Sequence, residues 1–181
     1  MDFEDTFDLT KYFELLGTNI QNILSRPEKD ILTYDILDTD ISKKNKLLAL
    51  KEKQRQMKIG EIWQEILGNY EGYINLKVGH STGLDILSHK YKFAIELKNR
   101  TNTDNASSKK SNFDKLANFK KNNPEYTCIY ANINDINETK TLNGTMKKII
   151  HNDVEILHYI GYEFIKLILK DNTNSIIQFV K

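Results

Sequence analysis

Two short stretches carry residue types suited to chemistry: Gly83-Leu84-Asp85 and, with its glutamate eleven residues beyond Asp85, Glu96-Leu97-Lys98. Asp85 opens one expected strand and Glu96 lies near the end of the next. Adjacent antiparallel strands run ~4.8 Å apart, so two carboxylates can meet at one end of such a pair. Glu96 and Lys98 stand at i and i+2 and therefore share a face. Two carboxylates plus the backbone carbonyl of Leu97 are oxygen ligands of the kind Mg²⁺ takes. A metal so held polarises a phosphoryl oxygen and acidifies a bound water. A neighbouring lysine orients that water or stabilises the charge that develops. The chemistry this suits is metal-assisted phosphodiester hydrolysis. An isolated Glu-x-Lys is also what a surface salt bridge looks like. Here the surrounding strand is apolar (Phe93, Ala94, Ile95, Leu97), a Gly-x-Asp lies one hairpin upstream, and a basic segment rich in Asn and Ser lies just downstream.

The elements that must position these residues follow from hydrophobic periodicity. Residues 7–25 have helical spacing (Phe7, Leu9, Tyr12, Phe13, Leu16, Ile20, Ile23, Leu24), and Pro27 closes that helix. A long helix is expected over 43–69 with Ser42 as N-cap, basic early and amphipathic late through Ile59, Ile62, Trp63, Ile66 and Leu67. The period then changes. Strands are expected over 73–78, 84–88 and 91–97, with a turn at 79–83 and a tight hairpin at His89-Lys90. A helix over 109–121 turns Phe113, Leu116, Ala117 and Phe119 inward, and an apolar strand over 127–133 is buried on both faces. Strands over 145–150 and 153–158, a helix over 161–169 and a terminal strand over 176–180 complete the reading. The order α-β-β-β-α-β implies an α/β (α+β) fold with a mixed central sheet flanked by helices. The chain reads as one domain: a helical part over 1–57, a core over 58–133 and C-terminal strands and helix over 134–181.

Composition narrows the class. The 181 residues are 39% hydrophobic, 10% aromatic and 28% charged, which excludes a disordered tail. No apolar run approaches the ~18 residues of a spanning helix. A single cysteine, Cys128, excludes a disulfide scaffold or a Cys-rich zinc module and reads as packing in a buried strand. The first five residues are acidic with no apolar stretch, so no signal peptide is expected and a cytoplasmic location is. The net charge of +1 hides a segregation. Residues 1–40 hold ten acids against three bases, 41–60 seven bases against one acid, and 98–121 seven bases against two acids. An excess of that size suits a phosphate-binding surface, although a solvated helix face is the commoner cause of any one charge run.

The order of elements together with Asp85…Glu96-Leu97-Lys98 resembles the PD-(D/E)XK nuclease superfamily. More narrowly, residues 58–112 resemble type II restriction endonucleases, particularly the group cutting GGNCC- or GGWCC-like sites. The carrying stretches are Ile59-Gly60-Glu61-Ile62-Trp63-Gln64 and Glu96-Leu97-Lys98-Asn99-Arg100-Thr101-Asn102-Thr103-Asp104-Asn105-Ala106-Ser107-Ser108. Leu84 stands where the superfamily's name has proline, and the first 57 residues match nothing. The resemblance implies a restriction-endonuclease-like core, Asp85, Glu96 and Lys98 as the catalytic triad, and Mg²⁺ as cofactor. It also implies a polar side chain on the preceding helix approaching the metal. Gln64 is the first choice, Glu61 and Glu65 the alternatives; by helical wheel Glu61 points to solvent.

The segment 99–111 would lie over the scissile phosphate. Arg100, Asn102, Asn105, Ser107, Ser108, Lys109 and Lys110 are the candidate DNA contacts, amides for base edges and cations for phosphate. The bland alternative is a loop capping the next helix, with Ser107 or Ser108 as N-cap. The four histidines lack metal-ligand spacing, with His80 a turn residue that could face the site, and Trp63 reads as core. The expectation is a Mg²⁺-dependent restriction endonuclease acting on double-stranded DNA, simplest as a homodimer on a palindromic site, with a possible partner methyltransferase. The rivals are a junction-resolving, repair or phage DNA-degrading nuclease of the same superfamily, and a non-catalytic DNA-binding module. Retention of all three catalytic side chains argues against the last.

Overall fold

The computed structural model describes residues 6–28, 32–101, 104–135 and 144–181. Helix α1 (Leu9–Leu24) starts at Asp8, whose carboxylate accepts the N–H groups of Thr10 and Lys11 at 3.0 and 3.2 Å. Its buried stripe is Tyr12, Leu16 and Ile23, and the Tyr12 hydroxyl donates to the carbonyl of Ile66 at 2.7 Å, which pins α1 to the next helix. Helix α2 (Asp40–Gly68) is capped by Thr39 rather than Ser42. A turn over 35–38 delivers Thr39 in extended conformation, so its hydroxyl accepts the Ser42 N–H, while the Ser42 hydroxyl donates to Asp38. The basic first half of α2 lies largely exposed, and burial begins near Ile66. Gly68 is where α2 crosses the sheet: a β-carbon there would meet Asn75 at 2.8 Å.

The described strands form one sheet in the order β1-β2-β3-β4-β6-β5: β1 (Ile74–Asn75), β2 (Ile86–Ser88), β3 (Phe93–Arg100), β4 (Thr127–Asn134), β5 (Thr145–His151) and β6 (Val154–Ile160). β1, β2 and β3 are an antiparallel meander. Helix α3 (Ala106–Asn122) crosses from β3 to β4, which lies parallel to β3 and to β6, and β5 pairs antiparallel at the edge. The mixed sheet expected from the element order is present, and it is consistent with a restriction-endonuclease-like fold. Alternation along β3 and β4 divides two cores. Ile95, Ile129, Ala131 and Ile133 face α1, α2 and the C-terminal helices, whereas Ala94, Cys128 and Tyr130 face α3. Glu96 and Lys98 follow Ala94 at steps of two and belong to the α3 face.

The structure corrects several expectations. The first strand is two residues long, because Lys77–Thr82 turns away, leaving Val78 fully exposed. The β2–β3 connection spans four residues rather than two: Ser88 pairs with Phe93, and Lys92 closes the turn at φ +56°. Asn99 and Arg100 extend β3, paired with β4, instead of beginning a loop. The N-cap of α3 is Asn105, whose side-chain oxygen accepts the Ser108 N–H at 2.8 Å, and Ser107 and Ser108 sit in the first helical turn. The terminal strand is a helix. After α4 (Tyr162–Leu169) and a 3-10 turn, α5 (Thr173–Val180) buries Ile176, packs Ile177 and Val180 against the core, and sets Phe179 on Phe13 with ring centroids 4.6 Å apart. Spacing of i, i+1 and i+4 on one helix face prevailed over the β-propensity of the isoleucines and valine.

Candidate active site

Asp85 immediately precedes β2, still held in the ladder. Its N–H donates to Ile95 at 3.1 Å and its carbonyl accepts from Leu76 at 2.8 Å. Its side chain turns toward β3, where Oδ2 accepts the backbone N–H of Leu97 at 2.7 Å. That bond places the Leu97 peptide beside Asp85. Gly83, two residues earlier, has φ +66°, a conformation for which glycine is suited. Glu96 sits opposite Tyr130 on β4 and is 3% exposed. Lys98 brings Nζ to 3.4 Å from Glu96 Oε1, while Glu96 Oε2 is buried with no hydrogen-bond partner among the described residues. Asp85, Glu96 and Lys98 are therefore brought together, as their spacing implied.

The electrostatics follow from burial. Desolvation, and then the neighbouring Asp85 charge, push the Glu96 carboxyl up to about 7, against the opposing pull of Lys98 and Lys115. Burial also holds Asp85 above its usual range, opposed by the Leu97 N–H and the same two lysines. A buried carboxylate oxygen without a hydrogen-bond partner, beside a second buried carboxylate, leaves room for a further positive charge. A hard divalent cation would supply it, and Asp85, Glu96 and the Leu97 carbonyl offer oxygen donors of the matching kind. Among the described residues no cluster of three or more His, Cys, Asp or Glu side chains forms a metal site, so a donor set here needs backbone or solvent oxygen besides the two carboxylates.

Gln64 lies behind the site. Its amide nitrogen reaches Asn75 Oδ1 at 2.9 Å and the carbonyls of Leu76 and Asp85 at 3.3 Å each. It props the backbone that carries Asp85. Glu65 accepts from Asn19, Asn69 and Asn75, and Glu61 pairs with Arg26 at 2.6 Å near the surface. His80 bonds Thr82 within its own turn. Of the expected DNA contacts, Arg100 lies at the exposed end of β3, 3.9 Å from Glu52, and Asn105, Ser107, Ser108, Lys109 and Lys110 occupy the exposed start of α3. Lys110 pairs with Asp114 at 3.1 Å. Asn102 lies outside the described residues.

Three further side chains border the site without having been singled out by motif. Asp104 Oδ1 is 3.9 Å from Lys98 Nζ. Asn112 and Lys115 come from α3, and Lys115 Nζ reaches the Gly83 carbonyl at 3.4 Å. Asn112 stands one helical turn before the buried Leu116, so a polar residue on an otherwise apolar stripe was the available signal.

The type II restriction enzyme Sau96I of Staphylococcus aureus is 30% identical over 110 residues, which cover 58% of this chain and 41% of that enzyme. The chain thus spans about two-fifths of the length of the curated relative it matches. No solved structure matches it significantly. The sequence model of the Eco47II restriction endonuclease matches residues 30–180, which takes in part of the first 57 residues, where no motif had carried a resemblance. That stretch holds every candidate site residue, and the chain belongs to the Eco47II restriction endonuclease family.

Proposed function

We propose that the chain is a Mg²⁺-dependent endodeoxyribonuclease of restriction type, hydrolysing phosphodiester bonds at a specific site in double-stranded DNA. The observation that carries the reading is the buried Asp85–Glu96 pair with Lys98 alongside and Glu96 Oε2 unpartnered. Membership of the family and the likeness to Sau96I support the substrate class. Asp85, Glu96 and the Leu97 carbonyl would hold the divalent cation, which would supply polarisation of the phosphoryl oxygen and a more acidic water. Lys98 orients the attacking water and offers its charge to the phosphoryl group in the transition state. Gln64 keeps the Asp85 backbone in place. The start of α3, with Asn105, Ser107, Ser108, Lys109 and Lys110, faces the duplex with helix N–H groups and cations, and Arg100 and Asn102 contribute from the preceding segment. Cutting both strands calls for two copies of the chain on a palindromic site. The reading includes a cytoplasmic setting and a methyltransferase that protects the same site.

The test is incubation of the full chain with long genomic DNA and supercoiled plasmid, with Mg²⁺ or EDTA. Discrete bands with Mg²⁺ and none with EDTA are expected. Intact DNA in both Mg²⁺ and Mn²⁺, or full cutting in EDTA, would overturn the proposal. Cutting confined to branched or single-stranded substrates would assign the chain to another nuclease duty.

A further inference from the structure

Asp104 lies between β3 and α3, six residues beyond Lys98, and its side chain is 10% exposed. A carboxylate so buried is costly unless its oxygens are satisfied. Its Oδ2 accepts from the Tyr130 hydroxyl at 2.6 Å and from the Asn112 amide at 3.0 Å. Both donors are neutral, so the charge of Asp104 is left for Oδ1, which faces Lys98 Nζ at 3.9 Å. Lys98 is bracketed between Asp104 on one side and Glu96 Oε1, at 3.4 Å, on the other. Asn112 uses its carbonyl oxygen on Lys115 Nζ at 3.3 Å, and Lys115 continues to Gly83, two residues before Asp85. The contacts close a circuit: Asp85 to the Leu97 N–H, Glu96 to Lys98, Lys98 to Asp104, Asp104 to Asn112, Asn112 to Lys115, and Lys115 back to the Asp85 turn. Gly83 belongs to it through its carbonyl, which its φ of +66° presents to Lys115.

We infer that Asp104 is a positioning residue, which draws the Lys98 ammonium off Glu96 and so keeps the carboxylate pair open to a divalent cation. The inference rests on the nuclease reading for its consequence. Without the charge at 104, Glu96 is, among the described residues, the remaining carboxylate within 4.0 Å of Lys98, and its second oxygen has no hydrogen-bond partner there. The ammonium then settles across the carboxylate and competes with the cation.

The experiment is a double-mutant cycle of Asp104→Asn and Lys98→Met on the full chain. It has two readouts: Mn²⁺ binding by calorimetry without DNA, and single-turnover cleavage. Asp104→Asn in the wild-type background should weaken Mn²⁺ binding by about tenfold, the scale of a residue supporting a metal ligand. In the Lys98→Met background it should change Mn²⁺ affinity by less than about twofold, because the residue through which it acts is gone. Asp104→Glu should recover most of the affinity and rate. Equal loss in both backgrounds would overturn the inference, since Asp104 would then act on the cation or the fold directly. Should circular dichroism show Asp104→Asn unfolded, Tyr130→Phe carries the test: it removes one donor and no charge. It should weaken Mn²⁺ binding by a few-fold with Lys98 present and leave it unchanged in the Lys98→Met background; the same loss in both would overturn the inference. Coupling in Mn²⁺ binding by a wild-type chain that cuts no DNA would keep the Lys98 clamp and sink the nuclease reading. Cutting with additive losses would do the opposite.

Discussion

Replacing Glu96 by Gln should make the metal-free protein more stable at alkaline pH while removing its catalytic function. Glu96 ionises at about 7 in the fold, against 4.5 for the free side chain, because burial and then the Asp85 charge disfavour its anion. A carboxyl raised in this way binds its proton more tightly when folded. Its contribution to stability is therefore full below 4.5 and declines as pH rises toward 7 and above. The displacement amounts to about 3 kcal/mol once both states are ionised. At pH 5.5 less than half of it is felt, and at pH 8.5 nearly all. Glutamine keeps the shape and has no charge to bury. Glu96→Gln should thus raise the melting temperature in EDTA at pH 8.5 by roughly 6–12 °C, at 2–4 °C per kcal/mol for a chain of this size, and by less than half of that at pH 5.5. Mg²⁺ at a thousandfold excess over Kd should reverse the ranking, since cation binding then stabilises the wild type by about 4 kcal/mol and the variant by little. Thermal melts at the two pH values, with and without Mg²⁺, suffice. A variant no more stable than wild type at pH 8.5 in EDTA would refute the claim that Glu96 is a strained, cation-seeking carboxylate.

Asp85→Ala, Glu96→Ala and Lys98→Ala should each lower single-turnover cleavage by at least about a hundredfold and leave DNA affinity in EDTA within a few-fold by gel shift; wild-type rates in any one would remove that residue from the mechanism. Mg²⁺ or Mn²⁺ should support cutting, and Ca²⁺ binding alone, because a hard oxygen site admits all three while their chemistry differs; cutting in Ca²⁺ at the Mg²⁺ rate would contradict a geometry-sensitive site. Asn105→Ala should cost about 1 kcal/mol of stability through the lost cap on Ser108, measured by urea unfolding; no change would mean that the cap contributes nothing. Lys109→Ala should weaken binding to cognate and random DNA alike and reduce the salt slope by about one counterion; loss confined to the cognate site would make it a base reader.

What could be read in advance were the features with a strong period or fixed offset. The i, i+2 step of Glu96 and Lys98, the hairpin distance to Asp85 and the buried run of β4 are local properties, and they survive in the fold. What escaped depends on partners distant in sequence. Tyr130 and Asp104 meet across 26 positions, and Lys115 and Gly83 across 32. Asp104 was in view within the stretch after the lysine, but as a loop residue, since only the parallel pairing of β3 with β4 brings Tyr130 beneath it. Residues 176–180 read as a strand because Ile and Val favour strands. In the fold that segment meets the core on one side only, which suits a helix. Ser42 and Ser107 lost the capping role to Thr39 and Asn105 for a related reason: each true cap lies before the residue with the obvious hydroxyl, where the backbone is extended.

The charges around the site explain why cation and DNA should depend on one another. With Asp85, Glu96 and Asp104 ionised against Lys98 and Lys115, the site carries one net negative charge and repels a phosphodiester. A divalent cation turns that to one net positive charge, and one phosphodiester brings it to neutrality. Removing a buried charge imbalance favours each step only after the one before it. Cation should therefore tighten DNA, and DNA should tighten cation by the same factor. A monovalent cation stops at neutrality and leaves nothing to draw the phosphate in. Burial raises the pKa of both Glu96 and Asp85, and at Glu96 the Asp85 charge adds to it, so the metal-free site favours holding a proton. Lys98 is the side chain placed to cancel that charge internally, by closing on Glu96, and Asp104 stands on its far side. The same clamp that leaves the metal-free site poorly compensated thus keeps it able to gain from cation and substrate together.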